Sequence, residues 1–347
     1  MQNFPYHIET EDDLNTFEEY LKENDTDKQT INMTDINKAI EQLDWKREPY
    51  GLYEPIEYTL SLGGKRLRPM LAVLASQIFN GNKQDVIPAA LALEVFHNFT
   101  LIHDDVMDKA QVRRGQPTVH TKWDENTAIL SGDQMMIEAY KQIAQLSDSK
   151  LPQVLRWFNE MATSICEGQQ YDIDFESNTS VSINDYLMMI EKKTALLLAY
   201  TLRIGAYIAG ANEQEQEAIF QYGRHLGIAF QIQDDILDVY GDPTTFGKKT
   251  GGDICCNKKT FLLLTALEIA DAESKAELLE WMITTNRDEE KIEAITNIFT
   301  RLGVKEAGDA TMEEHTAAAL AQLDILPQNE ATDKLRDIAE QLATRKR

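Results

Sequence analysis

From residue 36 to about residue 345, apolar side chains recur at spacings of three and four, segment after segment. No stretch alternates apolar and polar residues for the length of a sheet strand. That pattern predicts helices over 36–46, 68–80, 86–108, 124–146, 150–172, 183–209, 213–240, 257–285, 288–302, 305–323 and 330–344. Breakers are scarce, 17 glycines and 9 prolines in 347 residues. They collect in short connections such as "NGNKQDVIP", "RRGQPT" and "GDPTTFGKKTGG". No low-complexity linker divides the middle, so the expectation is a single all-α domain over 36–347, an up-and-down helical array. Residues 1–35 carry ten acidic and two basic side chains and few aliphatics, and are expected to form an acidic N-terminal arm.

Within these helices two stretches are electrostatically costly. "LIHDDVMD" (101–108) places Asp104, Asp105 and Asp108 in an apolar run, and "QDDILD" (233–238) does the same with Asp234, Asp235 and Asp238. Neighbouring carboxylates repel, more so when buried, and a repeated cost of this kind calls for a cation. Positions i and i+4 lie about 40° apart around a helix, so Asp104 and Asp108 share a face, as do Asp234 and Asp238. Hard oxygen ligands point to Mg²⁺, with Mn²⁺ as a substitute, rather than zinc. The spacing is not that of an EF-hand, whose ligands run along a twelve-residue loop. Mg²⁺ keeps waters and is completed by phosphate oxygens, so two such clusters imply a phosphate-bearing substrate. "FTLIHDDVMD" and "AFQIQDDILD" also echo one another, as either an old internal repeat or one solution reached twice.

The formal charge of −24 and sequence pI of about 4.6 argue against nucleic acid or an anionic membrane surface as the main partner. Basic residues nevertheless stand beside the aspartates. "GGKRLRP" (63–69) sets Lys65, Arg66 and Arg68 after two glycines, "RRG" follows the first motif, and "KKT" (192–194), "GKKTGGD" (247–253) and "NKKT" (257–260) add lysines. Glycine allows close backbone approach and arginine grips phosphate with a fork of donors. His97, seven residues before Asp104, falls two turns back on the same face. The three cysteines, Cys166, Cys255 and Cys256, suit neither a disulfide framework nor a zinc site. "MQNFPYHIETEDD" lacks the regions of a signal peptide, and the best membrane candidate, 195–211, is short and carries Arg203. A cytoplasmic protein without a transmembrane segment is expected.

In order along the chain, "GGKRLRP", "LIHDDVMD" with "RRGQPTVH", "GQQYD", "KKT", "FQIQDDILD" and "GKKTGGD" resemble the motifs of the trans-prenyltransferases, the head-to-tail isoprenyl diphosphate synthases. The resemblance spans about residues 60 to 265. It implies the isoprenoid synthase fold, roughly 10–13 helices around a deep central cavity, usually as a homodimer. It also implies about three Mg²⁺ ions held chiefly by Asp104, Asp108 and Asp234, with Asp105, Asp235 and Asp238 in support. By the same resemblance the allylic diphosphate would lie on Arg113, Lys193, Lys248 and Lys258, and isopentenyl diphosphate on Gly64, Lys65, Arg68, His97 and Arg114. Thr194, Gln231 and the Lys193 carbonyl would face an allylic carbocation. Lys248 is preferred to Lys249 because "GK" then stands four residues before Gly251 from Gly247.

In the family, the positions four and five before the first aspartate set product length. Here they are Thr100 and Phe99, one aromatic with a small neighbour, which resembles synthases stopping at geranylgeranyl diphosphate, with farnesyl diphosphate next. A longer polyprenyl product, a class I terpene cyclase, a non-catalytic subunit of a heteromeric synthase and a purely structural acidic protein are the rivals. The complete "GGKRLRP", His97 and Arg114 weigh against a cyclase. Six retained aspartates weigh against an inactive subunit.

Overall fold

The computed structural model describes residues 33–64, 66–241 and 251–344. Lys65, Lys248 and the acidic arm through residue 32 lie outside the described residues. The all-α expectation holds. The only strands among the described residues are β1 (Val112–Arg113) and β2 (Gln116–Pro117), an antiparallel hairpin just after the first aspartate motif.

Sixteen α-helical segments and one π-turn are described, more than the sequence predicts, because one-turn helices and interruptions leave no periodicity to read. They are α1 (Met33–Glu41), α2 (Tyr50–Ser61), α3 (Leu67–Ile78), α4 (Lys83–Met107), α5 (Val119–Lys122), α6 (Glu125–Ile143), α7 (Leu151–Ser177) and α8 (Ile183–Ile190). After the π-turn (Glu191–Ala195) come α9 (Leu196–Ile208), α10 (Glu213–Tyr240), α11 (Gly252–Cys255), α12 (Phe261–Ile269), α13 (Ala272–Ile283), α14 (Asp288–Leu302), α15 (Val304–Leu323) and α16 (Glu330–Thr344).

Local chemistry explains the ends. Asn82 caps α4 by accepting from the Gln84 amide. Asn212 and Glu215 form a reciprocal capping box at the start of α10, and Ser182 and Asp185 do the same for α8. The stretch 257–285 is not one helix. Asp271 accepts from the Ser274 amide at 2.8 Å, and this N-cap starts α13 two residues after α12 stops. The stretch 183–209 is likewise broken, by the π-turn at "EKKTA".

One hydrophobic core runs from Ile36 to Leu342. The two long helices that carry the aspartates each pack along a partner, α4 on α6 and α10 on α15 and α9, while the π-turn sits between α7 and α10. Helix α9, the membrane candidate of the sequence, has only 13 residues. Among the described residues α4 alone is long and apolar enough to cross a membrane, and 67% of its most apolar window is buried inside the protein.

Candidate active site

The site assembles at the C-terminal end of α4. Asp105 comes 100° after Asp104 around the helix and turns inward. It is 5% exposed, and both of its oxygens accept from Arg113 Nε at 2.9 Å, with Arg113 Nη2 at 2.8 Å. The β1–β2 hairpin returns Arg113 onto the helix that precedes it. Asp104 stays half-buried, 3.5 Å from Lys193 Nζ and 3.9 Å from Arg113 Nη2. Partial desolvation raises the Asp108 carboxyl, reinforced by Asp104 and Asp172 and opposed by Lys193 and Lys258.

Lys193 arrives on the π-turn, whose side chains are tied on both flanks. Glu191 accepts from Arg224 of α10 at 2.8 and 2.6 Å. Lys192 and Lys193 donate to Glu167 and Asp172 of α7, each at 2.6 Å. Thr194 donates to Gln231 of α10 at 3.2 Å. The turn can approach α7 this closely because residue 168 is glycine. A Cβ there would stand 2.4 Å from the Lys193 amide nitrogen. A π-turn inside a helical run commonly marks a functional site.

The second motif repeats the division of labour of the first. Asp235, 3% exposed, accepts from the Tyr186 hydroxyl at 2.6 Å and the Phe261 amide at 2.9 Å, with Gln231 Nε2 at 3.4 Å. Burial pushes its carboxyl up to about 7, helped by Asp253 and resisted by Tyr186, Phe261 and Lys258. Burial and then Asp235 push the Tyr186 phenol well above its ordinary value. Asp238 accepts from the Asp253 amide at 3.1 Å, and its carbonyl accepts from the Gly251 amide at 2.6 Å. Lys258 lies 3.8 Å from Asp253 and is held protonated by Asp253, Asp172, Asp235 and Asp108 against desolvation. Residues of both aspartate motifs therefore act on one lysine.

A second polar group lies on the other side of Arg113. Arg66 is 8% exposed, adopts a left-handed backbone (φ 45°) and donates to Glu94 at 2.7 Å and to the Leu60 carbonyl at 2.5 Å. Asn98 also donates to Glu94, at 3.0 Å. Around this buried pair stand Arg68, Arg114 and His97. Burial lowers the Arg68 guanidinium to about 10, with Glu94 opposing. Burial and then Arg68, Arg114, Arg113 and Arg66 hold the His97 imidazole well below its ordinary value, so it is neutral. His97 Nδ1 and Arg68 Nε are buried without a hydrogen-bond partner among the described residues. Arg114 donates to the Gly63 carbonyl, and a Cβ on Gly64 would come within 2.7 Å of its guanidinium. With Arg66 paired to Glu94 and His97 neutral, Arg68 and Arg114 leave net positive charge beside one buried carboxylate, which suits an anion.

Of the residues predicted from sequence, Asp104, Asp105, Arg113, Lys193, Thr194, Gln231, Asp235 and Lys258 take part in these contacts, and Asp108 feels the charges of Lys193 and Lys258. Gly64, Arg68, His97 and Arg114 form the neighbouring group. Asp234 and Asp238 share α10 with Gln231 and Asp235. Phe99 packs between Phe96 and His103, ring centres 5.3 and 4.8 Å away, and Thr100 donates to the His97 carbonyl of its own helix at 2.8 Å. Sequence reasoning left Glu94, Asp172, Tyr186 and Asp253 out of the site. Asp172 and Asp253 end the quoted motifs "GQQYD" and "GKKTGGD", so a signal for them existed. Glu94 and Tyr186 had none beyond a polar group in an apolar helix.

The donor set fits a hard divalent cation. Among the described residues no three acidic, His or Cys side chains close on a point unaided, as expected for an ion that keeps waters and borrows substrate oxygens. The carboxylates nearest the surface are meanwhile balanced by lysines.

The sequence profile of the polyprenyl synthetase family matches residues 49–299. The short chain isoprenyl diphosphate synthase of Methanothermobacter thermautotrophicus is 38% identical over 84% of this chain and 90% of its own. The geranylfarnesyl diphosphate synthase of Natronomonas pharaonis is 34% identical over 89% and 94%. A solved geranylgeranyl pyrophosphate synthase superimposes with a TM-score of 0.85 at 41% identity, covering 96% of this chain and 99% of that one.

Proposed function

The chain belongs to the polyprenyl synthetase family, and we propose that it is a prenyltransferase that joins isopentenyl diphosphate head-to-tail to an allylic diphosphate. The product we assign is a short all-trans prenyl diphosphate, geranylgeranyl diphosphate first and farnesyl diphosphate second. Geranylfarnesyl diphosphate, the product in the name of one relative, is the nearest longer alternative. The observation that carries the reading is the convergence of both aspartate motifs on Lys258, which feels Asp108 of the first and Asp235 of the second, while Lys193 stands 3.5 Å from Asp104 of the first.

Asp104, Asp108, Asp234 and Asp238 would hold Mg²⁺, with Asp105 and Asp235 setting the frame behind them. Bound there, the ions supply Lewis-acid neutralisation of the allylic diphosphate. Arg113, Lys193 and Lys258 take up the negative charge that grows on that diphosphate as its carbon–oxygen bond breaks. Thr194 has committed its proton to Gln231, which leaves hydroxyl lone pairs to face the allylic cation. Arg68, His97 and Arg114 hold the diphosphate of isopentenyl diphosphate, whose double bond attacks that cation. The released diphosphate then removes a proton from the adduct. A neutral His97 serves as a donor without adding to the crowding of four arginines.

The test is to size the chains formed from labelled isopentenyl diphosphate with dimethylallyl, geranyl and farnesyl diphosphate in turn. A short trans product confirms the reading, and no condensation with any primer refutes it. In Asp104→Ala we expect turnover to fall at least about a hundredfold while helical circular dichroism persists, consistent with loss of a group acting in the transition state.

A further inference from the structure

Lys291 is a buried cation that this chemistry does not use. It belongs to α14, is 3% exposed, and makes no ion pair with a carboxylate among the described residues. A buried ammonium is costly to keep where a methionine would fill the same space. Its Nζ lies 3.4 Å from the Cys255 carbonyl and 3.3 Å from the Met282 carbonyl. Both distances are long for hydrogen bonds, so the ammonium acts on the two carbonyl dipoles mainly through its charge. Both carbonyls sit in the last turn of a helix, Cys255 closing α11 and Met282 near the end of α13, where intrahelical donors run out. Asn257 donates to the same Met282 carbonyl at 2.9 Å.

The turn pinned in this way leads directly to Lys258. Asn257 takes a left-handed backbone (φ 52°), its amide donates to the Ile254 carbonyl at 3.1 Å, and the Lys258 amide donates to the Asp253 carbonyl at 2.9 Å. That pair of bonds is a Schellman cap, which reverses the chain and fixes where the next residue points. The same short segment holds Asp253, whose amide binds Asp238.

We propose that Lys291 is a positioning residue for the allylic diphosphate site: its ammonium ties the ends of α11 and α13 together and so sets the turn that presents Asp253 and Lys258. This rests on the reading that Lys258 contacts the allylic diphosphate. It also gives the Cys255–Cys256 segment a role through the Cys255 carbonyl, independent of thiol chemistry.

Two measurements on Lys291→Met and Lys291→Arg test it. Amide hydrogen exchange over residues 251–260 should quicken in Lys291→Met and return towards wild type in Lys291→Arg, whatever the reaction catalysed. The KM for the allylic diphosphate should rise about tenfold in Lys291→Met while that for isopentenyl diphosphate stays within about twofold, a split that general destabilisation would not produce. Unchanged exchange, or a parallel rise in both KM values, overturns the proposal. Should Lys291→Met fail to fold, Lys291→Gln, which keeps a donor for one carbonyl, takes its place under the same criteria. A wild-type protein that condenses nothing refutes the prenyltransferase reading alone, since the exchange result still decides whether Lys291 holds the turn.

Discussion

In each aspartate motif the second carboxylate of the pair is buried and engaged by its own framework, Asp105 by Arg113 and Asp235 by Tyr186 and the Phe261 amide. This follows from helix geometry, because adjacent residues point 100° apart and cannot both face one site. Asp235 has a measurable consequence. Burial pushes its carboxyl up to about 7 in the folded chain, well above the ordinary aspartate value of about 4, so between those values the folded state holds a proton that the unfolded state has released. Its contribution to stability is therefore full below the lower value and lost as pH rises through the upper one. Asp235→Asn should lose less thermal stability than wild type between about pH 5 and about pH 8 in cation-free buffer, as scanning calorimetry would record. Phe99 is the other residue whose role turns on one substitution. Phe99→Ala removes a ring that packs on Phe96 and His103, and we expect products longer by at least one isoprene unit. An unchanged product distribution would make Phe99 a packing residue only.

At the scale of elements, the π-turn at 191–195 was not legible. Its residues read as helix, since "EKKTA" has good helical propensity and the apolar spacing continues on both sides. The extra residue in the turn is accommodated by packing, with Gly168 admitting the Lys193 backbone and four side chains tied to α7 and α10. Gly168→Ala should accordingly cost about 1–3 kcal/mol in urea unfolding, the usual price of overpacking, and should lower turnover by displacing Lys193. The split between α12 and α13 was legible in principle. Asp271 is a favoured N-cap residue and Glu273 puts an acid in the first turn, but the apolar run on either side hid them.

At the scale of the molecule, a chain of charge −24 repels copies of itself unless an apolar face compensates. Helix α6 offers one. Ile129, Leu130 and Ile137 are 42%, 58% and 52% exposed along its outer side, next to the face that packs on α4. A homodimer of the kind the family resemblance implies would cover that side, and if the chain forms one there, Ile137→Glu should halve the mass measured by light scattering while leaving helicity intact. If the mass does not change, α6 is not the dimer face.

The sequence by itself determined the helical class, the two aspartate faces and the order of the basic motifs, because spacing along a helix decides which residues share a face. It placed Asp104 with Asp108, and His97 above them, without reference to anything distant. Tertiary structure alone decided which charges meet. Lys193 reaches Asp104 and Asp172 only because a turn between α8 and α9 bulges against α7. Glu94 underlies the arginines only because α3 and the β1–β2 hairpin deliver Arg66 and Arg114 to the same flank of α4. Coulomb energy depends on distance through space and on burial, and neither follows from separation along the chain.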